Sequence, residues 1–205
     1  MANQQKPRRT QAERTRASRE KIIQAASEYF AREGFRGARM ADIARAAELT
    51  EPGLLHHFPN KTSLLMAVLA ERDRVDHDRF TPDQPDEPGD LLAAFQKLVE
   101  HNETVPGLVQ LFAILVAESI PENHPGHDFF LRRYQTVRGQ SVAILRQGQA
   151  RGEVRADLPA EDLIVLVLAM MDGLQIQWLF EPESVDMARL FGQFVQLLRA
   201  REQVD

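Results

Sequence analysis

Apolar residues recur at three- and four-residue spacing along nearly all of this 205-residue chain, and period-two alternation is almost absent. That spacing lines one face of an α-helix and leaves no strand face to bury, so the expected fold class is all-α. Breakers cut the pattern into about nine helices, near 16–32, 40–46, 51–57, 61–79, 90–102, 105–120, 126–151, 160–180 and 183–201. Gly34 stands where a C-terminal stop is expected, and Pro59, Pro121 and Pro182 interrupt the pattern further on. Thr81 to Asp90 holds three prolines, a glycine and four acids, the composition of a loop.

Composition then removes whole classes of function. With no cysteine, the chain has no disulfide framework, thiolate metal site, iron–sulfur centre or cysteine nucleophile. The opening MANQQKPRRTQAER has no apolar stretch behind its basic residues, so a secretory signal is not expected. The longest apolar run, Leu163 to Met171, is short for a membrane span, and a cytoplasmic protein with no membrane partner is expected. No P-loop, dinucleotide fingerprint, nucleophile elbow or HExxH is present, and no cofactor is expected. The net charge of −5 conceals a division: residues 1–61 sum to +5 and the remainder to −10. A basic head on an acidic body fits a polyanion-binding head, and equally a solvated basic tail.

Residues 40–58, MADIARAAELTEPGLLHHF, read as two short helices joined by a tight turn. Ile43, Ala44, Ala47, Leu49 and Leu54 would form the seam between them, with the alanines allowing a close crossing. Thr50 is a good N-cap for the second helix, and Pro52 in its first turn gives up an N–H that needs no partner. So short a helix must be docked on others to persist. On spacing alone, a DNA-binding helix-turn-helix and a plain helical corner fit equally.

The run Ile22-Ile23, Ala25-Ala26, Tyr29-Phe30, Gly34-Phe35, Ile43-Ala44, Ala47, Leu49-Thr50, Leu54, His56-His57-Phe58, Lys61 and Leu64-Leu65 resembles the TetR family of bacterial transcriptional regulators. The resemblance implies a basic flexible arm over 1–15, a helix-turn-helix domain over 16–60 and a helical ligand-binding and dimerisation domain over 61–205. It implies a homodimer on a palindromic double-stranded DNA operator, acting as a repressor released by a small-molecule effector. Thr50, Glu51, Pro52, Gly53 and His56 would lie on the recognition helix, and Arg39, His57 and Lys61 would meet phosphates. Three departures are visible. Glu48 replaces the usual turn glycine, so a non-glycine is expected in the left-handed region at a cost of order 1 kcal/mol. Leu55 replaces a tyrosine, and Glu51 sets an acid near the groove. The arm residues Lys6, Arg8, Arg9, Arg14 and Arg16 suit a DNA contact and a disordered tail equally.

In the body, Leu163, Val167, Met170 and Leu174, then Leu190, Phe191, Phe194 and Leu198, lie on two strongly apolar helices, which bury in a core or against a second subunit. The resemblance favours the subunit interface. Phe95, Leu98, Phe112, Glu118, Gln175 and Trp178 are candidates for an effector pocket, apolar with a few polar groups. His124, His127 and Asp128 could instead hold a metal, which would make the chain a helical metal-dependent hydrolase; a proline-rich solvated loop, with no metal, is the simpler reading.

Overall fold

The computed structural model describes residues 10–80, 90–124 and 126–200. Among them are nine α-helices and no strand, only one isolated bridge pairing Val154 with Arg199. The chain divides into two compact units, residues 1–71 and 72–205. The arm residues Lys6, Arg8 and Arg9, and the expected loop apart from Asp90, lie outside the described residues.

The first helix, α1 (Gln11–Gly37), starts five residues before the expected Arg16. Thr10 and Glu13 form a capping box: the Thr10 hydroxyl accepts from the Glu13 N–H at 3.2 Å, and the Glu13 carboxylate accepts from the Thr10 N–H at 2.7 Å. Residues 11–15 are therefore helix, not arm. At the other end Gly34 has φ 69°, a left-handed break that only glycine adopts cheaply. Helix α1 buries Ile22, Ala25, Ala26 and Phe30. Helices α2 (Met40–Ala46) and α3 (Glu51–His57) follow, with α2 packed on both α1 and α3. Ile43, Ala44, Ala47, Leu54 and Phe58 are buried in this unit, as are Leu64 and Leu65 of α4 (Lys61–Phe80).

The second unit holds α5 (Leu91–Glu103), α6 (Pro106–Glu118), α7 (His127–Ala150), α8 (Ala160–Phe180) and α9 (Met187–Leu198). Helix α8 is central: α6, α7 and α9 all pack against it, and α9 packs on α5. Asp90 and Asp186 cap α5 and α9 by accepting from the N–H groups of Ala93 and Arg189, at 3.1 and 2.8 Å. The end of α9 is tied back by Arg155 N–H to Leu198 O at 2.9 Å, and by an Arg199–Asp90 ion pair.

An 18-residue window of α8 has a mean hydropathy of 1.8, enough by length and composition for a membrane span. Much of that apolarity is buried in the helical core, where Leu163, Ile164, Val167 and Trp178 sit. The remainder lies on a surface face described below.

Candidate DNA-binding head and body cavity

The turn between α2 and α3 closes as a Schellman motif. Leu49 N–H donates to Ala44 O at 2.9 Å and Glu48 N–H to Arg45 O at 3.1 Å, which requires a left-handed residue between them. Glu48 fills that position with φ 61°, and its carboxylate pairs with Lys21, which holds the acid below the usual carboxylate range. Relief of this strain gives a test. Glu48→Gly is expected to leave the head as stable or more so, whereas Glu48→Val, β-branched in the same conformation, should cost about 1–2 kcal/mol. Urea unfolding of the two variants reads the difference; equal stabilities would contradict it.

Thr50 then starts α3, its hydroxyl accepting from Gly53 N–H at 3.2 Å. A Cβ at Gly53 would meet that same hydroxyl at 3.2 Å, so the cap favours a small residue there. Leu54 and Phe58 turn inward, and Thr50, Glu51, Pro52, Leu55 and His56 are exposed. Leu55, where a polar residue is expected, stands on this outer face.

The basic candidates differ in what they do. Arg39 is exposed at the N-cap of α2, and its side chain makes no cap bond. His57 packs edge-on to His56 with ring centroids 5.7 Å apart. Burial, then the neighbouring His56 and Arg19, pushes the His57 imidazole below its ordinary value. Arg19, not singled out in the sequence, stacks its guanidinium 4.5 Å from the Phe58 ring centroid. Lys61 has an internal duty: its ammonium donates to Arg36 O at 3.3 Å and Ala38 O at 3.0 Å, and lies 4.8 Å from the Phe35 ring centroid. It therefore fastens α4 to the segment that ends α1.

In the body, Arg72, Leu98, Asn102, Phe112, Arg133, Tyr134, Leu168, Met171, Asp172 and Gln175 line a small cavity of about 20 Å³. Of the six expected pocket residues, Leu98, Phe112 and Gln175 belong to it. Phe95 and Trp178 are buried in the core instead, and Glu118 is exposed near the end of α6. The charged wall was missed. Arg72 donates to Asn102 Oδ1 at 2.7 Å, Arg133 Nε to Asp73 Oδ2 at 2.6 Å, and the Tyr134 hydroxyl to Asp172 Oδ2 at 2.7 Å. Burial and the Asp172 charge push the Tyr134 phenol upward. Burial also raises the Asp172 carboxyl, against the Tyr134 hydrogen bond and the Arg133 charge.

The residues expected at a subunit interface divide as well. Leu163, Val167, Leu174, Phe191 and Leu198 are buried inside this one chain, while Met170, Leu190 and Phe194 are half-buried. A different set is exposed: Leu166 at 48%, Ile176 at 49% and Phe180 at 83% on α8, and Leu197 at 66% on α9. Leu166, Ala169, Gly173, Ile176 and Phe180 follow three-four spacing, the seam of two packed helices.

The histidine loop does not form a metal centre. His127 Nδ1 lies 3.1 Å from both Ser119 O and Ile120 O, so it donates to the carbonyls that end α6. His124 Nδ1 accepts from Gly126 N–H at 3.1 Å, and Asp128 is exposed, 3.7 Å from Arg132. Among the described residues no three His, Asp or Glu side chains converge as metal ligands. The hydrolase reading has no support here.

Residues 22–68 match the profile of bacterial regulatory proteins of the tetR family, and residues 89–200 that of the C-terminal part of BetI-type transcriptional repressors. The chain belongs to the TetR family. An HTH-type transcriptional repressor of Streptomyces coelicolor is 29% identical over 158 residues, 75% of this chain and 76% of that protein. TtgR of Pseudomonas putida, an HTH-type transcriptional regulator, is 29% identical over 88% of each chain. A crystallised regulator from Saccharomonospora viridis in complex with choline shares the TetR fold with a TM-score of 0.73, covering 90% of this chain and 98% of its own at 24% identity. This TetR protein is thus a DNA-binding transcriptional regulator, with its helix-turn-helix in α2 and α3.

Proposed function

We propose that the protein is a repressor that binds a palindromic operator as a homodimer and leaves it when a small molecule enters the body cavity. The observation that carries this reading is α3: a seven-residue helix capped by Thr50, anchored by Leu54, with its outer face exposed. A helix too short to stand alone, yet held by a defined turn, serves to present a surface. Arg39, His57 and Lys61 supply the phosphate contacts beside it, Lys61 while also holding the end of α1. A twofold pair of such heads requires a twofold interface, which the exposed seam on α8 with Leu197 of α9 provides. The effector reading draws support from the polar cavity and from the choline complex of the Saccharomonospora relative. Helix α4 carries Lys61 at one end and Arg72 and Asp73 further along, so a ligand that disturbs their partners Asn102 and Arg133 acts on the helix that leads to the head. Such a ligand shifts the equilibrium only by its differential affinity, so DNA weakens its binding by the same factor.

Selection of bound sequences from a pool of random duplexes tests the reading. An inverted repeat with half-site centres about 34–36 Å apart is expected. Recovery of unrelated sequences with no repeat would contradict it.

A pH dependence follows from His57. Its imidazole is held below the ordinary value in the free head, so it is neutral at pH 7. A phosphate beside it favours the charged form, so the complex takes up a proton and operator affinity rises as pH falls toward the free value. At most one proton per head is linked. Operator affinity between pH 5.5 and 7.5 (about one unit either side of the ordinary histidine value) should depend more steeply on pH for the wild type than for His57→Gln; identical slopes would remove His57 from the contact.

A further inference from the structure

We propose that the body cavity takes an organic anion, its carboxylate seated on the Arg133 guanidinium, and not a quaternary ammonium such as the choline held by the Saccharomonospora relative. This deepens the effector reading above and rests on it.

Arg133 carries the inference. Its side chain is only 18% exposed, and its Nε donates to Asp73 Oδ2 at 2.6 Å. Among the described residues its Nη1 and Nη2 make no hydrogen bond, although both belong to a residue of the cavity wall. Asp73 therefore occupies one side of the guanidinium and leaves the terminal nitrogens for an acceptor. Paired N–H groups at fixed spacing match the two oxygens of a carboxylate.

The rest of the wall disfavours a cation. Ammonium ligands are held by open aromatic faces and negative charge. Here the Phe112 ring already receives cations, with the guanidinium carbons of Arg133 and Arg72 at 4.7 and 5.8 Å from its centroid. The wall's own carboxylate, Asp172, is engaged by the Tyr134 hydroxyl at 2.7 Å. A hydroxyl on the ligand could add a donor to that carboxylate, so a small hydroxylated acid fits both ends. The cavity of about 20 Å³ holds roughly one water. Binding must therefore push back Met171 and Leu98, of which the unbranched methionine yields most readily.

Calorimetric titration of the full chain with 4-hydroxybenzoate, benzoate, phenol and choline tests this. The expected result is saturable binding of 4-hydroxybenzoate, weaker binding of phenol and none of choline. Arg133→Met keeps the apolar stem, and should weaken 4-hydroxybenzoate about tenfold or more by removing a charged hydrogen bond. Asp172→Asn keeps an acceptor for Tyr134 but removes the negative charge, so it should tighten benzoate, which has no hydroxyl to lose its partner, several-fold, a gain that mere damage to the fold would not produce. Circular dichroism checks that each variant is folded; if Arg133→Met is not, Asp172→Asn decides. Choline binding in preference to the anion, no anion binding at all, unchanged affinity in a folded Arg133→Met, or no tightening in Asp172→Asn would each overturn the inference. Operator release separates the two readings. If choline, and not the anion, binds and frees operator DNA, the anion assignment fails and the effector cavity stands. If the anion binds through Arg133 and operator affinity stays the same, the anion site stands and the effector reading fails.

Discussion

Leu54→Ala is expected to abolish operator binding while leaving the body folded. Leu54 is fully buried and is the inward anchor of α3. Removing such a side chain from a packed site costs about 2–5 kcal/mol, the transfer loss plus the cavity left behind. The head is small and its two helix-turn-helix elements have seven residues each, so it has little stability to spare. The substitution should undock α3 from the seam with α2, and the exposed face would lose its fixed geometry. Hydrogen exchange gives the direct reading: amides of α2 and α3 should lose protection while those of α8, in the separate unit of residues 72–205, keep theirs. A variant that binds operator with wild-type affinity would show that α3 is not the reading element.

The second large effect is expected at the α8 seam. Leu166→Glu with Ile176→Glu places two carboxylates on side chains that are about half exposed in the single chain. The isolated chain tolerates them, since both positions already face water. In a dimer sealed along Leu166, Ala169, Gly173, Ile176 and Phe180, each copy would bury them unpaired, at several kcal/mol. A folded monomer is the expected product, with operator affinity down by about 10²–10⁴ through loss of the second head. Sedimentation and thermal melting together read this outcome; a variant that remains dimeric would move the interface elsewhere. By contrast, charge at Phe191, which is buried inside the chain, should unfold the body and says nothing about assembly.

Much of the head was legible because its signals are local. The Thr50 cap, the apolar seam from Ile43 to Leu54 and the positive φ at Glu48 all depend on residues within one turn or two of each other. The early start of α1 was legible too, in the pair Thr10 and Glu13, whose three-residue spacing marks a capping box; the basic residues around it read as an arm instead. The cavity was less accessible. Arg72, Asn102, Arg133 and Asp172 lie on four different helices, and no spacing along the chain announces that Arg133 meets Asp73 or that Tyr134 meets Asp172. On α8 the difficulty was different: a helix apolar nearly all round has no single face to pick, so the residues chosen for the interface were largely those of the core. The outer row from Leu166 to Phe180 and the inward Leu163, Val167 and Leu174 share the same three-four spacing, and only the packing of α6, α7 and α9 on α8 separates them.

The proposed dimer sets two helix-turn-helix heads on one palindrome. The mass of the complex between the full-length protein and its selected operator, measured by light scattering, tests it most directly. Two chains on each palindrome, or an even number at adjoining sites, with half-site deletion costing most of the affinity, is the predicted result. A single chain bound with full affinity to a half-site would contradict it.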